Sequence, residues 1–259
     1  MYRAHIKAQP DMVMPRARLA NLLFKAGRNQ EAEKLLGEIN IQAQPGPTQF
    51  RLGLLFMEQG LFKDAADAFE TFLKKSPKNE KALYFLATTQ LELQELTKAR
   101  ENLSKIPKKG EMYVDAQLIL ASITENEDRN KRLQESLSII TKAIKARPEE
   151  PRLRLAQAML LEDMGDIDKA RKAILEAVKK FPDQAEVFFR LGVIEDKLGN
   201  KPATIEAMLK TVRLNPRHAD ALNYLAYTWA ERGENLDEAL TMAEKADQLK
   251  PDSGYIIDT

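Results

Sequence analysis

Cysteine is absent from the 259 residues, which excludes a disulfide framework, a thiolate metal site and a cysteine nucleophile. That absence fits a reducing or an oxidising compartment equally. An excess of one charge is missing too. Forty Lys+Arg against 39 Asp+Glu leave a net charge of +1, which removes the uniformly basic surface expected of a protein bound to nucleic acid or anionic lipid. Basic pairs such as Lys74-Lys75 and Lys179-Lys180 fall at expected helix ends, where they complement the helix dipole without a phosphate. Long hydrophobic runs do not occur; stretches such as 118–121 are far short of the roughly 20 residues of a spanning helix. No basic-then-apolar leader opens the sequence, so any targeting segment is absent or removed. With 44% hydrophobic and 31% charged residues, the composition is that of a folded chain.

Catalytic vocabulary is equally scarce. The two histidines, His5 and His218, stand at opposite ends, His5 expected on a helix surface or packed on a partner helix and His218 in an expected solvated turn. HExxH, a phosphate-binding glycine loop and a nucleophile elbow are all missing. The acidic loop 125–128 lacks the alternating ligands and central glycine of a calcium site. Gly192 and Gly199 have a spacing that suggests a nucleotide loop, but both fall at repeat positions. The expectation is a protein that is not an enzyme and uses neither cofactor nor metal.

What is present is a period. Pro148, Pro182 and Pro216 are 34 residues apart, and Pro251 follows one residue late. Asp183 and Asp252 directly after proline read as helix caps. Between the prolines stand Gly27, Gly60, Gly165, Gly199 and Gly233, so each unit reads as helix, glycine turn, helix, proline turn. Seven residues before each of these glycines, or its equivalent, comes a small residue: Ala20, Gly53, Ala87, Ala121, Ala158, Gly192 and Ala226. With 32 alanines and 11 glycines in the chain, about one of seven positions would be small by chance. Second helices carry Ala32, Ala65, Ala99, Ser136, Ala170, Thr204 and Ala239 in register. Small side chains at both points let paired helices approach to roughly 8–10 Å.

In length, small-residue pair, turn glycine and terminal proline, the pattern resembles the tetratricopeptide repeat, most closely over 151–182. The resemblance implies an all-α, right-handed solenoid of stacked antiparallel helix pairs without a sheet. Its expected units are about 13–45, 46–79, 80–113, 114–150, 151–184, 185–218 and 219–253, in one superhelix over 1–259. Residues 1–12 and 254–259 read as partial units, either because the array is longer or because it ends in frayed partial units. An irregular seam is expected where Pro107-Lys108-Lys109-Gly110 shortens a second helix and about three residues are inserted near 125–130. That seam reads as a hinge or contact loop, or as a tolerated surface insertion.

The resemblance also implies that first helices line a concave groove. Positions three before and one after each small residue share a helix face. From the second to the sixth unit this face is largely apolar or aromatic. It contains Phe50, Leu54, Tyr84, Leu118, Leu155, Met159, Phe189 and Val193, and continues to Tyr227, with Arg51 and Arg190 alongside. These residues are the candidate site for a partner helix or extended segment, although some could simply pack against the next first helix. Members that clamp a C-terminal carboxylate use a Lys/Asn/Lys/Arg set; Phe50, Leu54, Tyr84 and Phe85 stand at comparable positions, so tail capture is not expected. The expected role is a protein-binding adaptor with no nucleic-acid partner. The alternative is a scaffold that assembles into homo-oligomers through its ends or outer faces. The segment 220–233 is similar to bacterial repeat proteins, many of them envelope scaffolds, which implies the periplasmic side; the cytoplasm stays open as the alternative location.

Overall fold

The computed structural model describes Tyr2, Ile6, residues 13–39, Ile41 and residues 46–251. His5, Pro10 and both expected partial units lie outside these residues, Tyr2 and Ile6 excepted. Among the described residues there are fourteen helices and no strand. The chain falls into two compact units, 1–123 and 124–259. The first contains α1 (Val13–Lys25), α2 (Asn29–Gly37), α3 (Gly46–Glu58), α4 (Phe62–Lys75), α5 (Glu80–Glu92), α6 (Leu96–Ser104) and α7 (Tyr113–Ser122). The second contains α8 (Arg129–Ala146), α9 (Pro151–Asp163), α10 (Ile167–Lys180), α11 (Ala185–Lys197), α12 (Lys201–Leu214), α13 (Ala219–Arg232) and α14 (Leu236–Leu249).

Packing follows chain order. α1 packs on α2, successive helices from α3 to α7 and from α8 to α14 pack on one another, and a first helix also reaches the first helix of the next pair, as α1 with α3 and α9 with α11. Six of the seven small residues on first helices are buried, and all seven on second helices are buried. In α1, α3, α5, α9 and α11 the helix ends five residues after its small residue, and two residues later the chain turns with positive φ. Glycine holds that turn at Gly27, Gly60, Gly165, Gly199 and Gly233, with φ from +64° to +82°, a conformation open to glycine without steric cost. The third pair has no glycine there, and Gln94 takes the turn at φ +61°.

The seam differs as its sequence implies. Helix α6 stops after nine residues, and α7 ends one residue after Ala121, which is only half-buried. Losing the last helical turn removes the packing that covers the other small residues. The α6–α7 connection is pinned by Glu80, whose Oε1 accepts the Glu111 N–H at 3.1 Å. A Cβ on Gly110 would collide with that carboxylate, so a side chain here would have to displace the Glu80 carboxylate.

Caps depart from expectation. Asn79 accepts the Ala82 N–H at 2.9 Å and Asp128 accepts the Lys131 N–H at 3.0 Å. Asp183 is no cap, because α11 starts at Ala185 behind Gln184, whose side chain makes no capping bond. His218 caps α13 instead. It is buried, its Nδ1 accepts the Ala221 N–H at 3.3 Å, and it is not the solvated turn residue its position implied.

Candidate functional site

Each first helix must bury one stripe against its second helix and leave another uncovered. In the first unit the stripe under α3 is aromatic. Phe69 is fully buried, and Phe50 meets it edge-on at 5.7 Å between ring centroids while also contacting Phe72 and Phe85 at 5.4 and 6.1 Å. Phe50 and Leu54 are half-buried against the cluster of Leu52, Phe56 and Phe69. Tyr84 is half-buried and meets Phe85 edge-on at 5.7 Å. Arg51 is exposed and Leu118 half-buried.

In the second unit Leu155 packs on the cluster around Ala158, Ile174 and Val187, whereas Met159 is 47% exposed. Phe189 and Val193 pack on Met208, Ala221 and Leu225, and the Phe189 ring lies 4.4 Å from His218. Arg190 is turned inward to Glu162, 3.2 Å away, a carboxylate that Lys197 also reaches. Tyr227 is 49% exposed and donates to Glu231 at 2.7 Å.

Two of these residues meet in a cavity. Phe189 and Val193 of α11 face Tyr224 and Asp220 of α13 across a pocket of about 330 Å³ that Met208 of α12 also lines. Asp196 and Lys197 complete its rim. Tyr227 lies seven residues beyond Asp220 and three beyond Tyr224, so it extends the same face of α13.

Asp196 and Tyr224 escaped the sequence reading, which followed only the positions flanking the small residue. Asp196 lies four residues after Gly192, the next turn of that same face. Their geometry is ordered by charge. Tyr224 donates its hydroxyl to Asp196 Oδ1 at 2.6 Å, and Lys201 Nζ donates to the same oxygen at 2.7 Å and to the Tyr224 hydroxyl at 3.3 Å. Burial pushes the Asp196 carboxyl up, but the bonds from Lys201 and Tyr224 outweigh it and the carboxyl titrates below its usual range. Those bonds, Asp196 first, raise the Lys201 ammonium. Burial and then the bond to Asp196 raise the Tyr224 phenol. Across the pocket Lys250 holds Asp220 with two bonds of 2.7 Å. The result is a small apolar floor with a rim of held, partly exposed charges.

Among the described residues no group of three or more His, Asp or Glu is placed to hold a metal, and no helix is long and apolar enough to cross a membrane.

Models of the tetratricopeptide repeat match residues 56–123, 155–212 and 197–254, over the same helix pairs and small-residue crossings. The chain belongs to the tetratricopeptide repeat family. It is 33% identical over 120 residues to the TPR repeat-containing protein PA4667 of Pseudomonas aeruginosa, a match covering 44% of this chain and 20% of that protein. It is 25% identical over 264 residues to the protein CTR9 homolog of Arabidopsis thaliana, covering 96% of this chain and 24% of that protein. The chain thus matches about a fifth to a quarter of the length of these relatives. The solved structure of pilF from Pseudomonas aeruginosa shares the fold with a TM-score of 0.59 at 17% identity, over 82% of this chain and 95% of that one. Tetratricopeptide repeats generally mediate protein–protein interaction.

Proposed function

We propose that this tetratricopeptide-repeat chain is a non-catalytic adaptor, an array of the seven repeats set out above, that holds a helix or extended segment of a protein partner on the exposed faces of its first helices. The observation that carries this reading is the pocket between α11 and α13, where Phe189, Val193 and Tyr224 surround an unfilled apolar floor. Apolar clefts with a few held polar groups are where peptide anchors gain most from desolvation. Met159 and Tyr227, half-exposed large side chains on first helices, support the same reading. Leu155 and Arg190 belong to the proposed surface of the second unit; on the first unit Phe50, Arg51, Leu54, Tyr84 and Leu118 are the proposed contacts, taken by themselves. The test is partner affinity in chains with Tyr227→Ala and Phe189→Ala. Tyr227→Ala leaves the core untouched and should weaken binding about tenfold or more; Phe189→Ala should do the same with its stability measured in parallel. Unchanged affinity for both, with the helical fold intact, would reject the reading.

A second reading rests on α14. Leu236 and Leu240 of α14 are 57% and 61% exposed. Ile205, the residue of α12 that corresponds to Leu240, packs on the Met208, Ala221 and Leu225 cluster beneath α13. An exposed apolar face of this kind would suit contact with a second copy of the chain. Light scattering over a concentration series separates the two: a monomer at all concentrations, unaltered by Leu240→Glu, rejects assembly.

A further inference from the structure

A different groove lies on the second-helix side of the second unit. It is about 450 Å³ in volume and runs between α10, α11 and α12. Its floor is apolar, formed by Leu175, Val178, Phe188 and Leu191, each half-buried. The same groove recurs three repeats earlier with a different polar wall. In the corresponding groove of the first unit, 105 residues earlier, Gln90 is bonded by Asn102 at 2.9 Å and both side chains are buried. Here Ala207 stands in place of Asn102, and Glu195 in place of Gln90.

The lost amide partner redirects the carboxylate. Glu195, 2% exposed, takes the Arg171 guanidinium at 2.6 Å and the Asn200 amide at 2.9 Å. That pair neutralises itself at the groove wall. The remaining charge is unbalanced: Lys210 and Arg213 line the groove with no carboxylate in ion-pair range among the described residues, against Glu206 alone. Lys210 Nζ lies 5.5 Å from the centre of the Phe188 ring, so an ammonium already sits over the apolar floor. Cations at the edge of an apolar cleft match carboxylates that flank a bulky apolar side chain, and both contacts strengthen once water is displaced.

We propose that this second-helix groove is a separate docking site for a partner segment in which a large apolar side chain is flanked by aspartate or glutamate. The apolar side chain enters between Phe188 and Leu175, and its neighbouring carboxylates pair with Lys210 and Arg213. Binding there is independent of the first-helix pocket, so one repeat pair presents two chemically distinct faces.

The test uses a dye-labelled, amidated hexapeptide of two glutamates, leucine, phenylalanine and two glutamates, with a lysine-for-glutamate version as control. Anisotropy should show saturable binding of the acidic peptide, weaker in high salt, and none of the basic one. The double variant Lys210→Glu, Arg213→Glu should weaken binding at least tenfold, and Tyr227→Ala should leave it unchanged. Absence of saturable binding, equal binding of both peptides, or indifference to the double variant with helical content intact would overturn the proposal. So would loss on Tyr227→Ala alone, which would move the peptide to the first-helix face.

Discussion

Gly53 of α3 lies directly against the Phe69 ring of α4. A Cβ built on Gly53 would lie 2.6 Å from Phe69 Cε1, inside any real carbon contact, and the ring is fully buried. The aromatic cluster around Phe50 and Phe85 holds the ring on its other sides. Gly53→Ala should therefore force the two helices apart. Overpacking costs about 1–3 kcal/mol, and the better helix propensity of alanine offsets up to about 1. Gly192→Ala makes the contrast, because its Cβ would meet Met208 Cε at 2.7 Å, the end of a flexible side chain that can turn aside. Urea denaturation should show a clear loss for the first variant and a smaller one for the second. The reverse order would contradict this packing.

Removing Arg171 should expose the cost of the Glu195 carboxylate, which is buried with only Asn200 as second partner. Breaking a buried pair from one side is expensive, but Arg171 is itself 41% exposed, so a loss of about 1–2 kcal/mol is expected for Arg171→Ala. Adding Glu195→Gln should recover part of it, since a neutral amide needs no counter-charge. A double-mutant cycle with no coupling would refute the pair's role.

The Asp196, Lys201 and Tyr224 network gives a signed pH dependence. The folded Asp196 carboxyl is depressed, so its contribution is present above the unfolded carboxyl range and fades as pH falls through the folded value. Lys201 is raised, so its contribution is present below the ordinary lysine range and is lost as pH rises through the folded value. Asp196→Asn should cost roughly 0.5–1 kcal/mol near neutrality, as exposed charged contacts do, with the difference from wild type closing in acid. A constant difference from neutral pH into acid would contradict the assignment.

His218 caps α13 through Nδ1 and packs its ring on Phe189. His218→Ala should lose both contributions, about 1–2 kcal/mol. His218→Asn restores a capping acceptor and should recover about half. Equal losses would mean that the cap contributes nothing.

The helix pairs were readable because alanine and glycine recur wherever two helices cross, and that requirement acts residue by residue. The turns were readable because a positive φ selects glycine, although Gln94 adopts it where glycine is missing. Ala121 failed the pattern because α7 stops one residue later, an ending that the insertion expected near 125–130 does not place. The candidate faces were legible by helix spacing alone, which cannot tell Phe50, held in an aromatic cluster, from Met159, open to water. Arg190 turning to Glu162 and Tyr224 reaching Asp196 depend on residues 28 apart in sequence, and periodicity carries no information about such pairs.

The central claim is that partners lie against the first helices, and placing a photo-crosslinking residue in the chain tests it most directly. At Tyr227, beside the α11–α13 pocket, irradiation in the native cell should give one dominant adduct mapped to a contiguous partner segment. The same residue at Lys63, exposed on the second helix α4 and part of neither proposed site, should give little. Equal adducts at both positions, or none at Tyr227, would contradict the claim.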